Sequence, residues 1–359
     1  AYEKGGATKI LENLINFFTS KKININLISC NAKYSDFTYK DKYFKITKPK
    51  SKLQSIFFQR ILFTLSVLKV YFREIVKNDK NTIIFSMQSH LLPVIIGRIL
   101  NKKIIVRNSE DPFGATRFAD NRFYAFLIFL TKFLSFNLAN GIITNSTTSL
   151  KSICFFLFNK KKVILILNPY LKKINNNIPK KNKKNFLLAI GRFTKQKNFL
   201  FLINTFNIFV KKYDNYNLTL VGSGKDEKKI TYRISKLGLK KKIRVLKWTK
   251  NLTNNFKNSK FFILPSLYEG SPNILIDTID SGIPCIASDC SGVKDILMNG
   301  KIGIVYNKTS KIDLLESMIK MHNNFNFYQK KSIKYMNSSN RFLIKPQSQK
   351  YLNFLFNFI

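Results

Sequence analysis

Residues 266–288 read SLYEGSPNILIDTIDSGIPCIAS, and they carry the strongest fold signal in the chain. The apolar run KFFIL just before them predicts a buried strand that ends at Pro265. A tight turn containing Glu269 follows, and Pro272 suits the first turn of a helix that begins there or at Asn273. A strand, a short turn and a helix in this order predict one unit of a parallel α/β sheet.

The same alternation of short apolar runs and helical patterns extends along both halves of the chain. In the first half the predicted strands are 23–29, 82–86, 103–106, 141–144 and 163–167, and in the second half they are 186–190, 218–221, 243–246, 261–264 and 285–287. Helices are predicted between most of them, for example at 199–212 and 225–237. Two such series predict two doubly wound domains with helices on both faces of parallel sheets.

A polar stretch, 172–184 (KKINNNIPKKNKK), separates the two series and is predicted to form the domain-boundary loop. A chain of 359 residues is long enough for two domains with separate cores. We therefore divide the chain into an N-terminal domain, a C-terminal domain and a helical segment that we expect to pack back on the N-terminal domain: 1–170, 171–330 and 331–359.

Basic charge is the outlier of the composition, because 62 Lys and Arg against 19 Asp and Glu give a net charge of +43. Such a charge attracts nucleic acid and anionic membranes. Only ten of the basic residues are Arg, however, and Arg is the side chain preferred for bidentate contacts with phosphate and guanine. The lysines are spread along the whole chain, which favours a Lys-rich background. We therefore expect no specific nucleic-acid partner.

The cysteines and glycines argue against a metal or cofactor site. Cys285 and Cys290 have no second close pair of ligands beside them, so a structural zinc site is not expected. The run Val221-Gly222-Ser223-Gly224 lacks the third Gly of a dinucleotide motif, and no GxxxxGK[ST] loop is present. We expect reduced thiols, as in a cytoplasmic protein, and neither a metal nor a cofactor.

A second informative motif, GRFTKQKN at 191–198, follows the predicted strand FLLAI. Gly191 ends the strand, and Arg192 and Lys197 lie five residues apart on a loop that enters a helix. Two cations so placed can hold one diphosphate. Lys197 alone means little in a chain this rich in Lys, whereas Arg192 stands out because Arg is scarce.

The turn 268–272 offers complementary groups. Free N–H groups at a helix start bind anions such as phosphate, and the carboxylates of Glu269 and Asp277 lie eight residues apart in the sequence. Together they suit a ligand that is part polyol and part phosphate. A structural interpretation stays open, in which Glu269 is a loop charge and Asp277 offsets the helix dipole.

Gly5 and Gly6 precede a helical pattern at 11–18, and their backbone could approach a phosphate or sugar closely. A simple turn is the alternative interpretation. No strand pattern stands ahead of these glycines, so we expect the first strand of the N-terminal domain to be missing from this sequence.

As a set, these motifs resemble glycosyltransferase family 4, whose members are retaining enzymes of the GT-B fold. The resemblance covers nearly the whole chain and is densest from 168 to 321. It implies two Rossmann-like, doubly wound domains that face a central cleft, with the acceptor on the N-terminal side and the nucleotide sugar on the C-terminal side. The segments that carry it are the N-terminal glycines, NPY (168–170), GRFTKQKN, LVGSGKDEKKI (220–230) and YEGSPNILIDTIDSGIPCIASDCSGVKDI (268–296).

The resemblance implies catalytic roles for Glu269, Arg192 and Lys197. The family's E-x7-E pair falls on Glu269, which would approach the sugar hydroxyls of the donor, and on Asp277, which would bind the nucleotide ribose. Arg192 and Lys197 match the basic pair that holds the donor diphosphate and stabilises the leaving group, in a UDP- or GDP-sugar. The donor-binding residues implied on the same basis are Gly5, Gly6, Gly191, Arg192, Lys197, Gly222, Glu269, Gly270, Ser271, Pro272, Asn273 and Asp277.

This chain departs from the family pattern at three points, one of which is the expected absence of the first strand. Asp277 replaces the usual Glu and is shorter by one methylene. Many relatives carry a His after the strand 103–106, where this chain reads Arg107-Asn108-Ser109-Glu110-Asp111. We take Arg107 and Glu110, together with His90 after the strand IIFS, as candidate cleft residues. For His90, a structural place at a helix start is the alternative.

Two apolar helical patterns, 55–77 and 123–138, bear on location. Lys69, Arg73 and Lys77 are four residues apart and share one helix face. Both patterns suit either an interfacial patch on anionic lipid or buried helices of a Rossmann-like domain.

We expect a cytoplasmic enzyme, free or peripheral on the inner face of the cytoplasmic membrane. By the resemblance, its partners would be a nucleotide sugar and a glycan or lipid-linked acceptor in surface-polysaccharide or lipopolysaccharide assembly. The alternatives are a catalytically impaired relative that binds nucleotide sugars and a basic nucleic-acid-binding protein.

Overall fold

The computed structural model describes residues 6–29, 32, 37, 42–48, 57–76, 82–87, 90–119, 121–174, 185–249 and 252–358. Three features predicted from the sequence therefore lie outside the described residues: the donor contact at Gly5, the basic residue Lys77 and most of the predicted boundary loop, 175–184.

The described strands of the N-terminal half are β1 (Ile25–Ile28), β2 (Phe44–Thr47), β3 (Ile83–Ser86), β4 (Lys103–Asn108), β5 (Gly141–Thr144) and β6 (Val163–Leu165). They form two sheets. β1 and β2 pair in parallel, and β3-β4-β5-β6 form a second parallel sheet in that order. The single N-terminal series predicted from the sequence is therefore corrected to two sheets. β2 was missed because its four residues, FKIT, contain a lysine and leave no continuous apolar run.

The C-terminal half contributes one parallel sheet of six strands in the order β12-β11-β10-β7-β8-β9. Its strands are β7 (Phe186–Ile190), β8 (Asn217–Val221), β9 (Ile243–Leu246), β10 (Phe261–Leu264), β11 (Cys285–Ser288) and β12 (Ile304–Tyr306). β12 was also missed in the sequence, because three residues at a sheet edge carry too little periodicity to stand out.

The helices lie between the strands, as the alternating pattern predicts. Those of the N-terminal half are α1 (Gly6–Ser20), α2 (Phe57–Val76), α3 (Leu91–Ile99), α4 (Pro112–Arg117), α5 (Arg122–Leu138) and α6 (Thr147–Phe156). Those of the C-terminal half are α7 (Phe199–Lys212), α8 (Glu227–Lys236), α9 (Thr253–Asn258), α10 (Asn273–Asp280), α11 (Val293–Ile296), α12 (Lys311–Asn323), α13 (Phe325–Lys334) and α14 (Ile344–Phe356).

The six-stranded sheet is covered on both faces. In β7, Leu187 and Ala189 pack in the cluster that includes α7, α8 and α12, whereas Leu188 and Ile190 pack in the cluster that includes α10 and α11. This alternation follows from the two-residue period of a strand. Because both faces are buried, the strand is a continuous apolar run in the sequence.

The C-terminal helix α14 crosses back to the N-terminal half. The buried Arg107 at the end of β4 donates from Nε to the Tyr351 hydroxyl at 2.9 Å. Gly141 in β5 lies so close to Phe354 and Phe358 that a Cβ there would come within 3.1 and 2.7 Å of their rings. The apolar cluster at the end of the chain is thus part of the core of the N-terminal half.

Helix α2 is partly buried. Val67, Val70 and Ile75 are buried, and Lys69 and Arg73 are exposed. The described part of this helix therefore has one face in the core and a basic face in solvent.

Helix α5 is largely exposed, which rules out the buried interpretation for most of its length. Only Ser135 and Phe136, near its C-terminal end, are buried. Phe123, Tyr124 and Phe126 are exposed by 66%, 55% and 59%. No helix of the described residues is both long enough and apolar enough to span a membrane.

Candidate functional site

The winding of the six-stranded sheet reverses at β7. From β7 the chain continues outward through β8 and β9, and it then returns to the other side of β7 as β10, β11 and β12. In open α/β sheets, ligands bind beyond the carboxyl ends of the strands at such a reversal. Residues 191–198 follow β7 and residues 265–272 follow β10, so both sequence motifs border this crevice.

Two residues predicted to be catalytic meet in the crevice. Lys197 Nζ lies 2.5 Å from Glu269 Oε1, and the two side chains are only 14% and 10% exposed. The loops that carry them are also joined through Gln196, whose Nε2 donates to Tyr268 O at 2.9 Å and whose carbonyl accepts from Leu267 N at 2.8 Å. The structure thus holds one cation and one carboxylate together at the reversal point.

The glycines of the neighbouring strand ends allow close packing of the loops. A Cβ on Gly222, at the end of β8, would lie 2.0 Å from Gly191 O at the end of β7. A Cβ on Gly191 would lie 3.2 Å from the Lys197 side chain. Gly222 is therefore required by loop packing. Arg192 is exposed beside these glycines, on the same loop as Lys197.

The N-terminal half packs onto the turn that carries Glu269. Asp111 N donates to Glu269 O at 3.2 Å, and a Cβ on Gly270 would lie 1.9 Å from Ser109 O. The Tyr268 ring stacks on Phe118, with centroids 6.0 Å apart and planes 8° from parallel. This turn is consequently the place where the two halves of the chain meet.

Asn273, at the start of α10, also contacts the N-terminal half. Its Nδ2 donates to Gly6 O at 3.2 Å, and its Oδ1 accepts from Asn168 Nδ2 at 2.7 Å. Asn168 Nδ2 also lies 3.3 Å from Ser271 O. Gly6, Ser271 and Asn273, all predicted donor contacts, are therefore brought together, and Pro272 is the buried residue directly before α10.

Asp277 lies one turn inside α10, as the sequence predicts, and its carboxylate has an internal partner. The Tyr170 hydroxyl donates to Asp277 Oδ2 at 2.6 Å, and the Lys9 ammonium lies 3.9 Å from the centre of the Tyr170 ring. Burial raises the pKa of Asp277 to about 6, although the hydrogen bond from Tyr170 and the charge of Lys9 act in the opposite direction. Sequence reasoning did not assign a role to Tyr170, whose position in the NPY motif was the available signal.

The three candidate cleft residues have different surroundings. His90 Nδ1 lies 2.8 Å from Ser86 Oγ, and burial lowers the pKa of His90 to about 3, helped by the positive charges of Lys132 and Arg107. The imidazole is therefore neutral at physiological pH. Glu110 forms a 2.5 Å ion pair with Lys132 of α5.

Arg107 is 1% exposed and links several elements. Besides its bond to Tyr351, it donates from Nη2 to Asn168 Oδ1 at 2.8 Å and from Nη1 to Ser109 Oγ. Since Asn168 in turn bonds Asn273, the guanidinium indirectly supports the turn 268–272 and the start of α10, which we call the donor turn. The sequence did not indicate that Asn168 links Arg107 to Asn273, because both partners of Asn168 are distant from it in the chain.

Several buried hydroxyls surround the same crevice. Within the part of the chain that the structure describes, Thr194 Oγ1, Ser266 Oγ, Ser271 Oγ and Ser291 Oγ have no hydrogen-bond partner. Buried hydroxyls normally have a hydrogen-bond partner, because an unpaired hydroxyl loses its hydrogen bonds to water and gains none within the protein. These four belong to a larger set of buried polar atoms without partners that is spread over the described residues, and their place on the crevice loops is compatible with a polar ligand.

Part of this chain is similar in sequence to known glycosyltransferases. Residues 172–336, the part containing the crevice loops, match the family model described as glycosyl transferases group 1. An uncharacterised glycosyltransferase of Haemophilus influenzae is 26% identical over 206 residues, which cover 57% of this chain and 58% of that protein. The capsular polysaccharide biosynthesis glycosyltransferase CapH of Staphylococcus aureus is 30% identical over 176 residues, which cover 48% of this chain and 47% of CapH. The chain spans about half the length of the curated relatives it matches.

Solved structures resemble the whole chain. HepE of Anabaena in complex with UDP superposes with a TM-score of 0.77 at 13% identity, covering 99% of this chain and 98% of HepE. The lipopolysaccharide outer core galactosyltransferase WaaB superposes with a TM-score of 0.73 at 18% identity, covering 99% and 97%. The chain has the GT-B fold. The superposition confirms the predicted fold class. At sequence identities of 13% and 18%, it is evidence for the fold alone.

Proposed function

We propose that this chain is a glycosyltransferase that moves a sugar from a nucleotide-sugar donor to an acceptor hydroxyl, with retention at the anomeric carbon. The observation that carries the proposal is the pair Lys197–Glu269 at the reversal point of the six-stranded sheet of a GT-B fold. The match to the glycosyl transferases group 1 model over 172–336 supports it, because that region contains both residues.

The geometry suits departure of a diphosphate. Arg192 and Lys197 follow β7 on one loop, where they would hold the diphosphate and stabilise the negative charge that develops on it. Glu269 already binds Lys197, so a bound diphosphate would share the lysine with this carboxylate. The second oxygen of Glu269 would then accept hydrogen bonds from sugar hydroxyls.

The ribose-binding role expected of Asp277 alone has to include Tyr170, which is its hydrogen-bond partner. Because its carboxylate accepts from Tyr170, a ribose hydroxyl at this position would bind a carboxylate that is already shared. The proposal therefore assigns the ribose to Asp277 and Tyr170 together.

For the donor, a UDP-sugar has the best support. HepE is described in complex with UDP and with UDP-glucose, and one relative is a UDP-Gal-dependent α-1,3-galactosyltransferase of Escherichia coli. For the acceptor, that enzyme and a transferase of Campylobacter jejuni are both named for diphosphoundecaprenol-linked substrates. We therefore propose a lipid-linked or growing glycan acceptor, and an enzyme that works peripherally at the cytoplasmic side of a membrane.

Donor binding is tested by thermal shift with UDP, GDP and their hexose conjugates, since a ligand that binds only the native state raises the apparent melting temperature. We expect stabilisation by UDP and UDP-hexoses. Retention is then tested by the anomeric proton coupling of the product. Stabilisation without turnover would indicate a catalytically impaired relative, and no stabilisation by any nucleotide would refute the proposal.

Variants of the two acids separate their roles. Glu269→Gln should lower turnover while leaving UDP affinity nearly intact, and Asp277→Ala should weaken UDP affinity. The reverse pattern would overturn the assignment.

A further inference from the structure

A cavity that is largely open to solvent lies between the two halves of the chain, beside the donor turn. It has a volume of about 530 Å³, and its wall includes α4 on one side and Lys308, just after β12, on the other. Gly114 and Phe118 line it and also pack on Tyr268, and Asp111 lines it while its N–H is bonded to Glu269 O. The cavity therefore adjoins the turn that carries Glu269.

The polar side chains of this cavity are two cations, one carboxylate and the Thr116 hydroxyl, which donates to Phe113 O at 2.9 Å. Arg117 and Lys308 form no ion pair with any acid that the structure describes, and the guanidinium of Arg117 lies 5.9 Å from the centre of the Phe118 ring. Asp111 Oδ1 accepts from Ser152 Oγ at 3.1 Å and keeps further acceptor capacity. Two cations suit a phosphate-bearing group, and a carboxylate suits sugar hydroxyls.

The cavity opens onto an apolar surface through Phe113. The Phe113 ring lines the cavity and packs on Phe155 and Phe156 at centroid distances of 5.3 and 5.2 Å. The contacts continue from Phe156 to Phe129 of α5 at 5.2 Å. We name Phe113, Phe123, Phe126, Phe129, Phe155 and Phe158 the aromatic face.

The aromatic face is unusually exposed. Phe155 and Phe158 are 75% and 84% exposed, and Phe123 and Phe126 on α5 are more than half exposed. Ring contacts through Phe156 and Phe133 connect Phe113, Phe129, Phe155 and Phe158, and Phe123 and Phe126 lie further along α5. Single exposed apolar residues are common, but a connected set of exposed rings marks a surface that contacts another apolar body. Basic side chains in the same part of the chain are also exposed: Arg122 on α5, Lys151 on α6 and Lys160 after α6. Apolar rings with a basic rim fit an anionic lipid surface.

We propose that the cavity binds the phosphate-bearing sugar head of a lipid-linked acceptor and that the aromatic face holds its apolar chain at the membrane. Arg117 and Lys308 contact the phosphate, Asp111 accepts from a sugar hydroxyl, and Phe113 bridges the head to the chain. This inference rests on the proposed function, because an acceptor must reach the donor turn. It places the lipid contact on α4, α5 and α6, and away from the basic face of α2.

The test measures binding to phosphatidylcholine vesicles that contain a sugar-linked polyprenyl diphosphate. We expect Arg117→Gln/Lys308→Gln and, separately, Phe155→Ser/Phe158→Ser each to weaken this binding about tenfold or more. The matched controls are Lys228→Gln/Lys236→Gln and Tyr232→Ser/Phe327→Ser, which remove equal numbers of exposed charges or rings elsewhere. Both controls should stay within about twofold of the parent. Circular dichroism checks that each variant is folded.

Two further binding measurements distinguish recognition of the acceptor from general adhesion to lipid and from binding at the donor site. On phosphatidylglycerol vesicles without the diphosphate, the Phe155→Ser/Phe158→Ser variant should lose affinity and the Arg117→Gln/Lys308→Gln variant should not. Equal losses of the cavity variant on both kinds of vesicle, or no loss on either, would overturn the head-group assignment. UDP affinity should be unchanged in every variant, so failure of the donor site would show up independently as absence of UDP binding by the parent.

Discussion

The ion pair between Lys197 and Glu269 gives the sharpest prediction. Its two side chains are 14% and 10% exposed, so replacing one of them leaves a nearly buried charge without its partner. Loss of one partner of a buried pair costs about 3–5 kcal/mol. Because the crevice opens to solvent, we expect the lower end of that range, about 3 kcal/mol, for Lys197→Met.

The double variant Lys197→Met/Glu269→Gln distinguishes the loss of a partner from the loss of packing. In this variant neither charge is left alone, so it should be less destabilised than the sum of the two single variants. We expect a coupling energy of about 2 kcal/mol, within the range seen for residues in direct contact.

The assay is urea unfolding followed by the fluorescence of Trp248, the single tryptophan of the chain, which follows β9 in the C-terminal half. UDP affinity is measured in parallel by calorimetry. Lys197→Met should weaken it by the roughly 1.5–3 kcal/mol of a charge-assisted hydrogen bond. Additive destabilisation by the two single substitutions, with UDP affinity unchanged, would refute both the buried pair and its role at the diphosphate.

Three further outcomes are expected from the site. Arg192→Ala should weaken UDP binding by about 1.5–3 kcal/mol in calorimetry and change the urea midpoint only slightly, because contacts of exposed charged side chains contribute little to stability; a twofold loss of UDP affinity or less would remove Arg192 from the diphosphate site. Because the pKa of Asp277 is raised to about 6, the folded state binds more protons than the unfolded state between about pH 4 and 6. The contribution of Asp277 to the free energy of unfolding therefore falls as the pH rises through that window. Asp277→Asn, which keeps an acceptor for Tyr170, should therefore stabilise the protein by about 1–3 kcal/mol at pH 7.5 and hardly at all at pH 4, as urea titrations at both values would show. Gly222→Ala should cost about 1–3 kcal/mol, because the added methyl would lie against Gly191 O; an unchanged urea midpoint would contradict the close approach of the two loops.

Much of the secondary structure follows from local sequence. The predicted strands 141–144, 186–190, 243–246 and 261–264 and the helix 199–212 coincide with observed elements. Buried parallel strands are short continuous apolar runs bounded by turn residues, and that signal needs no knowledge of distant parts of the chain. Short elements at sheet edges, such as β2 and β12, lack it.

The approximate place of the site was also available from the sequence. GRFTKQKN follows one strand and YEGSPN follows another, and the carboxyl ends of parallel strands lie at one edge of a sheet. Pattern alone therefore brings Arg192, Lys197 and Glu269 to the same edge. It does not show that β7 and β10 are neighbours, which is what places the two loops at one crevice.

The tertiary structure alone decided which side chains meet. Lys197 pairs with Glu269 across 72 positions and Tyr170 with Asp277 across 107, and no local period encodes such contacts. Likewise, the apolar run of α5 has the composition of a buried helix, yet most of it faces solvent because only its last turns pack on the sheet. A sequence specifies the element and its apolar residues, whereas the burial of those residues depends on which other elements the fold sets against them.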